Sequence, residues 1–235
     1  KIHLVRYADD FIITAKDRET IETVILPLVR NFMAERGLTL SEEKTKITHI
    51  SEGFDFLGFN IRKFPNNTLL TQPSSDAKKR FCDKIRKVIE SNKTAKQHSL
   101  IKMLNPIITG WGNYYKYGTS AETFHRVDWE IHRKLWQWAR RRHSNKSKGW
   151  IKDKYFKTVN GRKWRFMADM EERSKMRQIT LAYLPDIHHE KFAKVRHYAN
   201  PYDPADKSYY EWRETYRMKQ TLKGRESLVR IWTRQ

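Results

Sequence analysis

Arg6-Tyr7-Ala8-Asp9-Asp10-Phe11 is the stretch on which the reading of this chain turns. It joins two short β-rich runs, Ile2–Tyr7 and Phe11–Ala15, and Ala8-Asp9-Asp10 between them reads as a hairpin turn. Two adjacent carboxylates on a tight turn repel, and one pKa rises unless a cation sits beside them. A divalent metal removes that conflict, because Mg²⁺ takes hard oxygen ligands. Two such ions can activate a hydroxyl and stabilise a leaving pyrophosphate in an in-line displacement. Asp is also an ordinary turn residue, so a bare pair would carry little weight. The flanking strands, Tyr7 and Ala8, and the sequence that follows give it more.

Outward from the hairpin, the spacing predicts a helix from Asp17 to Arg36. Ile21, Ile25, Leu28 and Phe32 form its stripe, with Asp17 as N-cap, Gly37 as C-cap and a kink at Pro27. Leu38-Thr39-Leu40 opens a turn-and-strand passage ending near Ile50, and Phe54–Arg62 is a strand pair around Gly58. Pro65-Asn66-Asn67 marks a turn, and Gln72-Pro73-Ser74-Ser75 reads as a linker. From Asp76 the pattern is helical, with Phe81, Ile85, Val88 and Ile89 on one side. Further helices are expected over Leu100–Ile108 and Phe124–His143, a small β or irregular segment over 150–166, loop over 185–204 and helix over 205–235.

The 235 residues carry 48 Lys+Arg against 27 Asp+Glu, a net charge of +21, with 13 % aromatics. That composition supports a core and excludes a disordered chain. The charge points to a polyanionic partner, and its distribution is uneven. Residues 1–73 are balanced, 74–148 carry +12 and 149–235 carry +9. A catalytic part followed by a binding part would produce this asymmetry. No apolar run approaches the ~20 residues of a membrane span, and no basic-then-apolar leader follows Lys1. Cys82 is the one cysteine, which excludes an internal disulfide and a Cys-based zinc cluster and fits a reducing compartment. The absent initial Met suggests a piece of a longer chain.

Tyr7-Ala8-Asp9-Asp10 resembles the Y-x-D-D motif of reverse transcriptases. Gly37-Leu38-Thr39-Leu40-Ser41-Glu42-Glu43-Lys44-Thr45 is similar to the next motif of group II intron reverse transcriptases, and Phe56-Leu57-Gly58-Phe59 to the hairpin that grips the primer. Leu104–Tyr115 resembles the maturase (X, or thumb) segment of the same proteins, and Asn200-Pro201-Tyr202-Asp203 with Arg213 the stretch after it. The landmarks come in family order across nearly the whole chain. The fold this implies is α+β: the C-terminal part of a palm of antiparallel strands plus a helix over 1–73, a helical thumb over 74–148, and a basic, D-like mixed region over 149–235.

The resemblance makes Asp9 and Asp10 the metal-binding carboxylates and Lys44 a residue near the triphosphate, able to act as general acid for pyrophosphate. A surface lysine beside Glu42 and Glu43 is the equal alternative for Lys44. Leu57 and Gly58 would lie under the primer and Tyr7 beside the nucleic acid. A third carboxylate belongs on an earlier palm strand that this sequence does not include. The chain as given should therefore be incomplete for catalysis, its two-metal Mg²⁺ site finished by a residue outside it. Leu228–Gln235 resembles the approach to an HNH nuclease.

Several stretches read as nucleic-acid contacts. Lys78, Lys79, Arg80, Lys84 and Lys87 crowd one helix as a phosphate-contacting surface, or else a solvated face. Arg140, Arg141 and Arg142 follow an aromatic helix and suit phosphate forks, though a helix C-terminus also attracts cations. Trp111, Tyr114 and Tyr115 suit thumb core better than base stacking. The aromatics of 150–166 interleave with lysines as a small sheet with one core and one basic face. His188 and His189 face apart if extended and are no metal site. The implied function is RNA-directed DNA polymerase and maturase of a group II intron. Its implied partners are intron RNA, an RNA template–DNA primer duplex, target DNA and dNTP, in bacterial cytoplasm or an organelle matrix and without membrane. An intron-independent reverse transcriptase (CRISPR-associated or defence type) and a non-catalytic maturase-derived splicing factor are the alternatives.

Overall fold

The structure is a computed structural model that describes residues 2–172, 175–190, 195–196, 198–222 and 226–232. It is a mixed α/β chain with antiparallel sheets, in two compact units: residues 1–54 with 62–68, and residues 55–61 with 69–235.

The first unit opens with β1 (His3–Tyr7) and β2 (Asp10–Thr14), paired antiparallel from His3↔Thr14 to Tyr7↔Asp10. The pairing reaches Asp10, so the turn is Ala8-Asp9 alone, one residue shorter than the sequence suggests. A helical run follows: α1 (Arg18–Thr20), a π-turn (Ile21–Ile25) and α2 (Leu26–Ala34). Asp17 caps it, accepting from the Thr20 amide at 2.8 Å. Pro27 cannot donate an amide, and it falls in the first turn of α2, directly after the π-turn. Gly37 ends the run at φ +67, with the Leu38 amide bonded back to Met33 O. Residues 38–53 hold no strand. The expected strand there is instead a turn around Ser41, because no partner strand pairs with it among the described residues.

β3 (Phe54–Phe56), β4 (Phe59–Lys63) and β5 (Leu69–Pro73) form a three-stranded sheet in that order. β5 takes in Gln72 and Pro73, the first half of the stretch expected to be a linker. Pro73 is tolerated at its last position and is buried, and Ser74 caps the next helix through the Ala77 amide. Three helices carry the core: α3 (Ser75–Ser91), α4 (Gln97–Tyr115) and α5 (Ala121–Arg142). α3 buries Ala77, Phe81, Ile85 and Ile89, one i, i+4 row. α4 buries Leu100, Leu104 and Ile108, and α5 Phe124, Ile131 and Leu135.

α4 extends seven residues beyond the expected Ile108, through Pro106 and two glycines. Tertiary bonds hold it there: Asn105 donates to Thr180 O (3.0 Å) and accepts from the Ala182 amide (2.8 Å). Residues 150–155, expected as β or irregular, belong instead to α6 (Lys148–Tyr155), capped by Ser147. β6 (Phe156–Val159), β7 (Arg162–Glu172) and β8 (Lys175–Thr180) then build an antiparallel sheet whose Phe156 and Phe166 join the core. Loop follows over the described residues of 181–203, apart from short 3₁₀ turns. α7 (Lys207–Thr221) and α8 (Glu226–Trp232) close the described chain. The expected helix over 205–235 is borne out at those two elements, while residues 223–225 and 233–235, and with them part of the Leu228–Gln235 resemblance, lie outside the described residues.

Candidate catalytic hairpin and nucleic-acid interface

The β1–β2 hairpin sets the geometry of the carboxylate pair. Tyr7 and Asp10 face each other across its last rung, and Asp9 occupies the turn. Ala8 sits at φ +53, a conformation that L-residues other than Asn, Asp and His adopt reluctantly. Strain of this kind collects at functional sites. Tyr7, Asp9 and Asp10 are all exposed, and neither carboxylate has a hydrogen-bond or ion-pair partner among the described residues. Two adjacent, unpaired, hard oxygen donors suit Mg²⁺. Among the described residues no group of three or more His, Cys, Asp or Glu could hold a metal ion. The pair therefore fits as part of a coordination shell. Lys44 lies on the Ser41 turn, exposed, and no hydrogen bond or ion pair joins it to Asp9 or Asp10. Its neighbour Glu42 is bound by Arg30 at 2.8 Å.

The second unit brings together two landmarks that the sequence keeps 57 residues apart. Leu57 (φ +49) and Gly58 (φ +78) form a two-residue turn with both residues left-handed, the type whose twist matches its strands. Tyr114 Oη donates to Leu57 O at 2.8 Å, and Tyr115 Oη to Gly58 O at 3.2 Å. The Ser74 amide also reaches Gly58 O, at 2.8 Å. Phe59 packs between the two tyrosines, centroids 5.4 and 4.8 Å away. Tyr115 is buried, and burial pushes its phenol pKa up. Trp111 stacks on Phe81. The aromatics of this segment are thus mostly core, as expected, but Tyr114 is half exposed and clamps the hairpin. Nothing in local spacing reveals that clamp, because both partners are backbone carbonyls.

The expected phosphate-contacting cations divide by environment. On α3, Arg80, Lys84 and Lys87 share one exposed stripe at i, i+4, i+7. Lys79 is exposed beside it and Lys78 half-buried. Arg80 pairs with Asp76 at 2.5 Å on the surface, an interaction of little net energy. On α5, Arg140 and Arg141 are exposed, whereas Arg142 has structural work. Its Nη1 donates to Lys93 O (3.0 Å) and Ala95 O (2.6 Å), and the guanidinium lies 4.5 Å over Trp138. Trp138 Nε1 in turn donates to Asn92 O. Arg142 therefore ties the α3–α4 connection to the end of α5. A groove of about 340 Å³ runs between α3 and α5, with Arg86, Lys93, Lys134, Arg141 and Arg142 on its walls against one carboxylate, Glu90. Lys93 and Lys134 were not singled out by the sequence reading, since no run of charges links them. His188 and His189 form no metal group; His189 stacks on Phe124.

Residues 1–61 match the reverse transcriptase (RNA-dependent DNA polymerase) family, and residues 78–156 match the group II intron maturase-specific domain. Among curated proteins, the group II intron-encoded protein LtrA of Lactococcus lactis subsp. cremoris is 38 % identical over 108 residues, covering 40 % of this chain and 17 % of that protein. An uncharacterized 91 kDa protein in the cob intron of Schizosaccharomyces pombe is 29 % identical over 147 residues, covering 50 % and 17 %. A putative COX1/OXI3 intron 2 protein of Saccharomyces cerevisiae is 35 % identical over 66 residues, covering 28 % and 8 %. The chain thus spans about a sixth of the length of the first of these relatives. The two family matches, with LtrA beside them, support a group II intron reverse transcriptase and maturase. No helix among the described residues is long and apolar enough to cross a membrane.

Proposed function

We propose that this chain is the late palm (1–73), thumb (74–148) and following basic region (149–235) of an RNA-directed DNA polymerase that also binds its intron RNA for splicing. The observation that carries the polymerase half is the exposed, unpartnered Asp9-Asp10 pair held at the strained Ala8 turn. Mg²⁺, when bound there, supplies activation of a primer hydroxyl and neutralisation of phosphate charge. Asp9 and Asp10 hold the ion, Tyr7 lines the approach from the same rung, and the Tyr114-clamped Leu57-Gly58 turn presents a rigid edge to the primer. Lys44 serves as proton donor to pyrophosphate in this reading. Its position on a separate turn is equally that of a surface lysine.

The maturase half rests on the α3 stripe and the α3–α5 groove. They give the second unit a phosphate-binding surface that needs no catalytic residue, because the RNA does the splicing chemistry. The partners proposed are intron RNA, the template–primer duplex, target DNA and dNTP. The match to the maturase-specific domain, and relatives that are themselves intron proteins, favour an intron-borne protein over a free-standing reverse transcriptase.

Filter binding of the 235-residue chain to a folded group II intron RNA across a salt series tests the binding half. Affinity should fall steeply with salt, since each neutralised phosphate releases counterion. Lys84→Ala with Lys87→Ala should lower the logarithmic salt slope by about two. An unchanged slope would refute the placement of this stripe on phosphates.

A further inference from the structure

A cleft of about 500 Å³ lies in the second unit, outside the cationic groove and far in sequence from the carboxylate hairpin. One wall is α5, which presents His125, Asp128, Trp129 and His132 at helical i, i+3, i+4, i+7 spacing. The opposite wall is β7 around Trp164, with Tyr183 beyond it. The volume is in the range of small-molecule sites.

The walls are built in an unusual way. β6 pairs with β7 at Phe156↔Phe166 and Lys157↔Arg165, then slips to Val159↔Arg162, which leaves one extra residue on β7. Trp164 sits in that bulge at φ +63, a costly conformation for a bulky residue. Bulges re-aim side chains, and this one sets the Trp164 indole against Trp136 (5.6 Å) while leaving it 42 % exposed. Trp129, across the cleft, is 61 % exposed. Two large aromatic surfaces are thus kept open to solvent at one cleft, although the core lies within reach.

Polar groups converge on the same space. His132 Nε2 is buried and has no partner among the described residues. Asp128 Oδ1 accepts from the Leu184 amide at 3.3 Å, and its other oxygen has no hydrogen-bond partner among the described residues. The buried, unpaired His132 nitrogen costs stability, whereas the free Asp128 oxygen is open to a ligand in the cleft. The rim is cationic. Arg162 and Arg165 lie over the Tyr183 ring (4.9 and 4.6 Å to its centroid) and pair with Asp186, and Lys163 stands beside them.

We propose that this cleft receives one unpaired nucleobase of an RNA strand, held between Trp129 and Trp164, with its hydrogen-bonding edge on Asp128 and its phosphate at the Lys163 rim. Single-stranded RNA is recognised in this way: a splayed base stacks on aromatic side chains, its edge is read by polar groups, and cations take the phosphate. An apolar ligand would leave the carboxyl unmatched, and a bare anion would have no use for two exposed indoles. The proposal rests on the RNA-binding reading of the second unit and goes beyond it by naming a base-specific subsite.

The test uses the full 235-residue chain and two RNA hairpins, one fully paired and one carrying a single bulged 2-aminopurine. The bulged hairpin should bind about tenfold more tightly, the scale of one aromatic–base stack, with a change in 2-aminopurine emission. Trp129→Ala should remove that preference and leave affinity for the paired hairpin unchanged, while Trp129→Phe should keep most of it. Trp164→Gly, which suits the positive φ, should act like Trp129→Ala and guards against misfolding as the cause. Equal affinity for the two hairpins, or a preference that survives both aromatic deletions, would overturn the proposal while leaving general RNA binding intact. A chain that binds neither hairpin would refute the RNA-binding reading and the subsite together.

Discussion

Asp128→Asn should stabilise the helical unit at neutral pH and change nothing in acid. Burial against the Leu184 turn is the main cause that pushes the Asp128 carboxyl from 3.8 up to about 6; the Leu184 amide and Arg165 pull it partway back, and Asp186 adds to the rise. The sign follows from linkage. A group whose pKa is higher folded than unfolded contributes its full stability below the unfolded pKa and loses it as pH rises through the folded value. The wild-type chain therefore forfeits stability between about pH 4 and 7, to a ceiling of about 3 kcal/mol for a gap of this size. Asparagine keeps an oxygen for the Leu184 amide and cannot ionise, so it escapes the loss. It also gives up the attraction of Arg165, so the expected gain at pH 7.5 is about 1–2 kcal/mol. Urea unfolding followed by tryptophan fluorescence reads this directly, because all eight tryptophans lie in the second unit. The difference between variant and wild type should grow from near zero at pH 4 to its full value above pH 7. A difference that is flat with pH, or a variant less stable at pH 7.5, would refute the burial argument.

Three further outcomes follow from the packing. Gly112→Ala gains helix propensity but drives a methyl into Ile187 Cδ1 and close to Leu184 Cδ2; a net loss of about 1–2 kcal/mol should appear in the same urea assay. Gly58→Ala puts Cβ 2.6 Å from Tyr115 Oη in a φ +78 turn, so the unit should lose about 2 kcal/mol and the near-UV signal of Tyr114 and Tyr115 should change. Arg142→Lys cannot bridge Lys93 O and Ala95 O or stack as flatly on Trp138; about 1–2 kcal/mol of stability should be lost, and hydrogen exchange should speed up over residues 92–96.

Local chemistry made some of this legible from sequence. The β1–β2 hairpin follows from two β-rich runs around Ala8-Asp9, and the Leu57-Gly58 turn from a glycine between apolar pairs. Asp17 and Gly37 cap their helix as their residue types require. The rest needed partners distant in the chain. Helix α4 runs past Ile108 through Gly110 and Gly112 to Tyr115, and Asn105 pins it to Thr180 and Ala182. β5 hides in Leu69–Pro73, since its Thr and Gln give no clean alternation and its sheet position gives them their role. The α6 stretch mixes aromatics and lysines with little helical periodicity, and the Ser147 cap decides it. The candidate sites divide in the same way. Contiguous motifs such as Asp9-Asp10 and Arg140-Arg141 stand out in the sequence, whereas the structural bonds of Arg142 do not. The Tyr114 clamp, the groove cations Arg86, Lys93 and Lys134, and the Asp128–Trp164 cleft exist only when separate elements pack.

The most direct test of the account is RNA-templated primer extension by a polypeptide that joins this chain to a complete upstream palm and fingers, with and without Asp9→Asn and Asp10→Asn. The account predicts loss of cDNA synthesis in the double variant, with affinity for intron RNA unchanged because the carboxylates belong to the first unit and the cations proposed to bind RNA to the second. Primer extension that persists at the parental rate would contradict it.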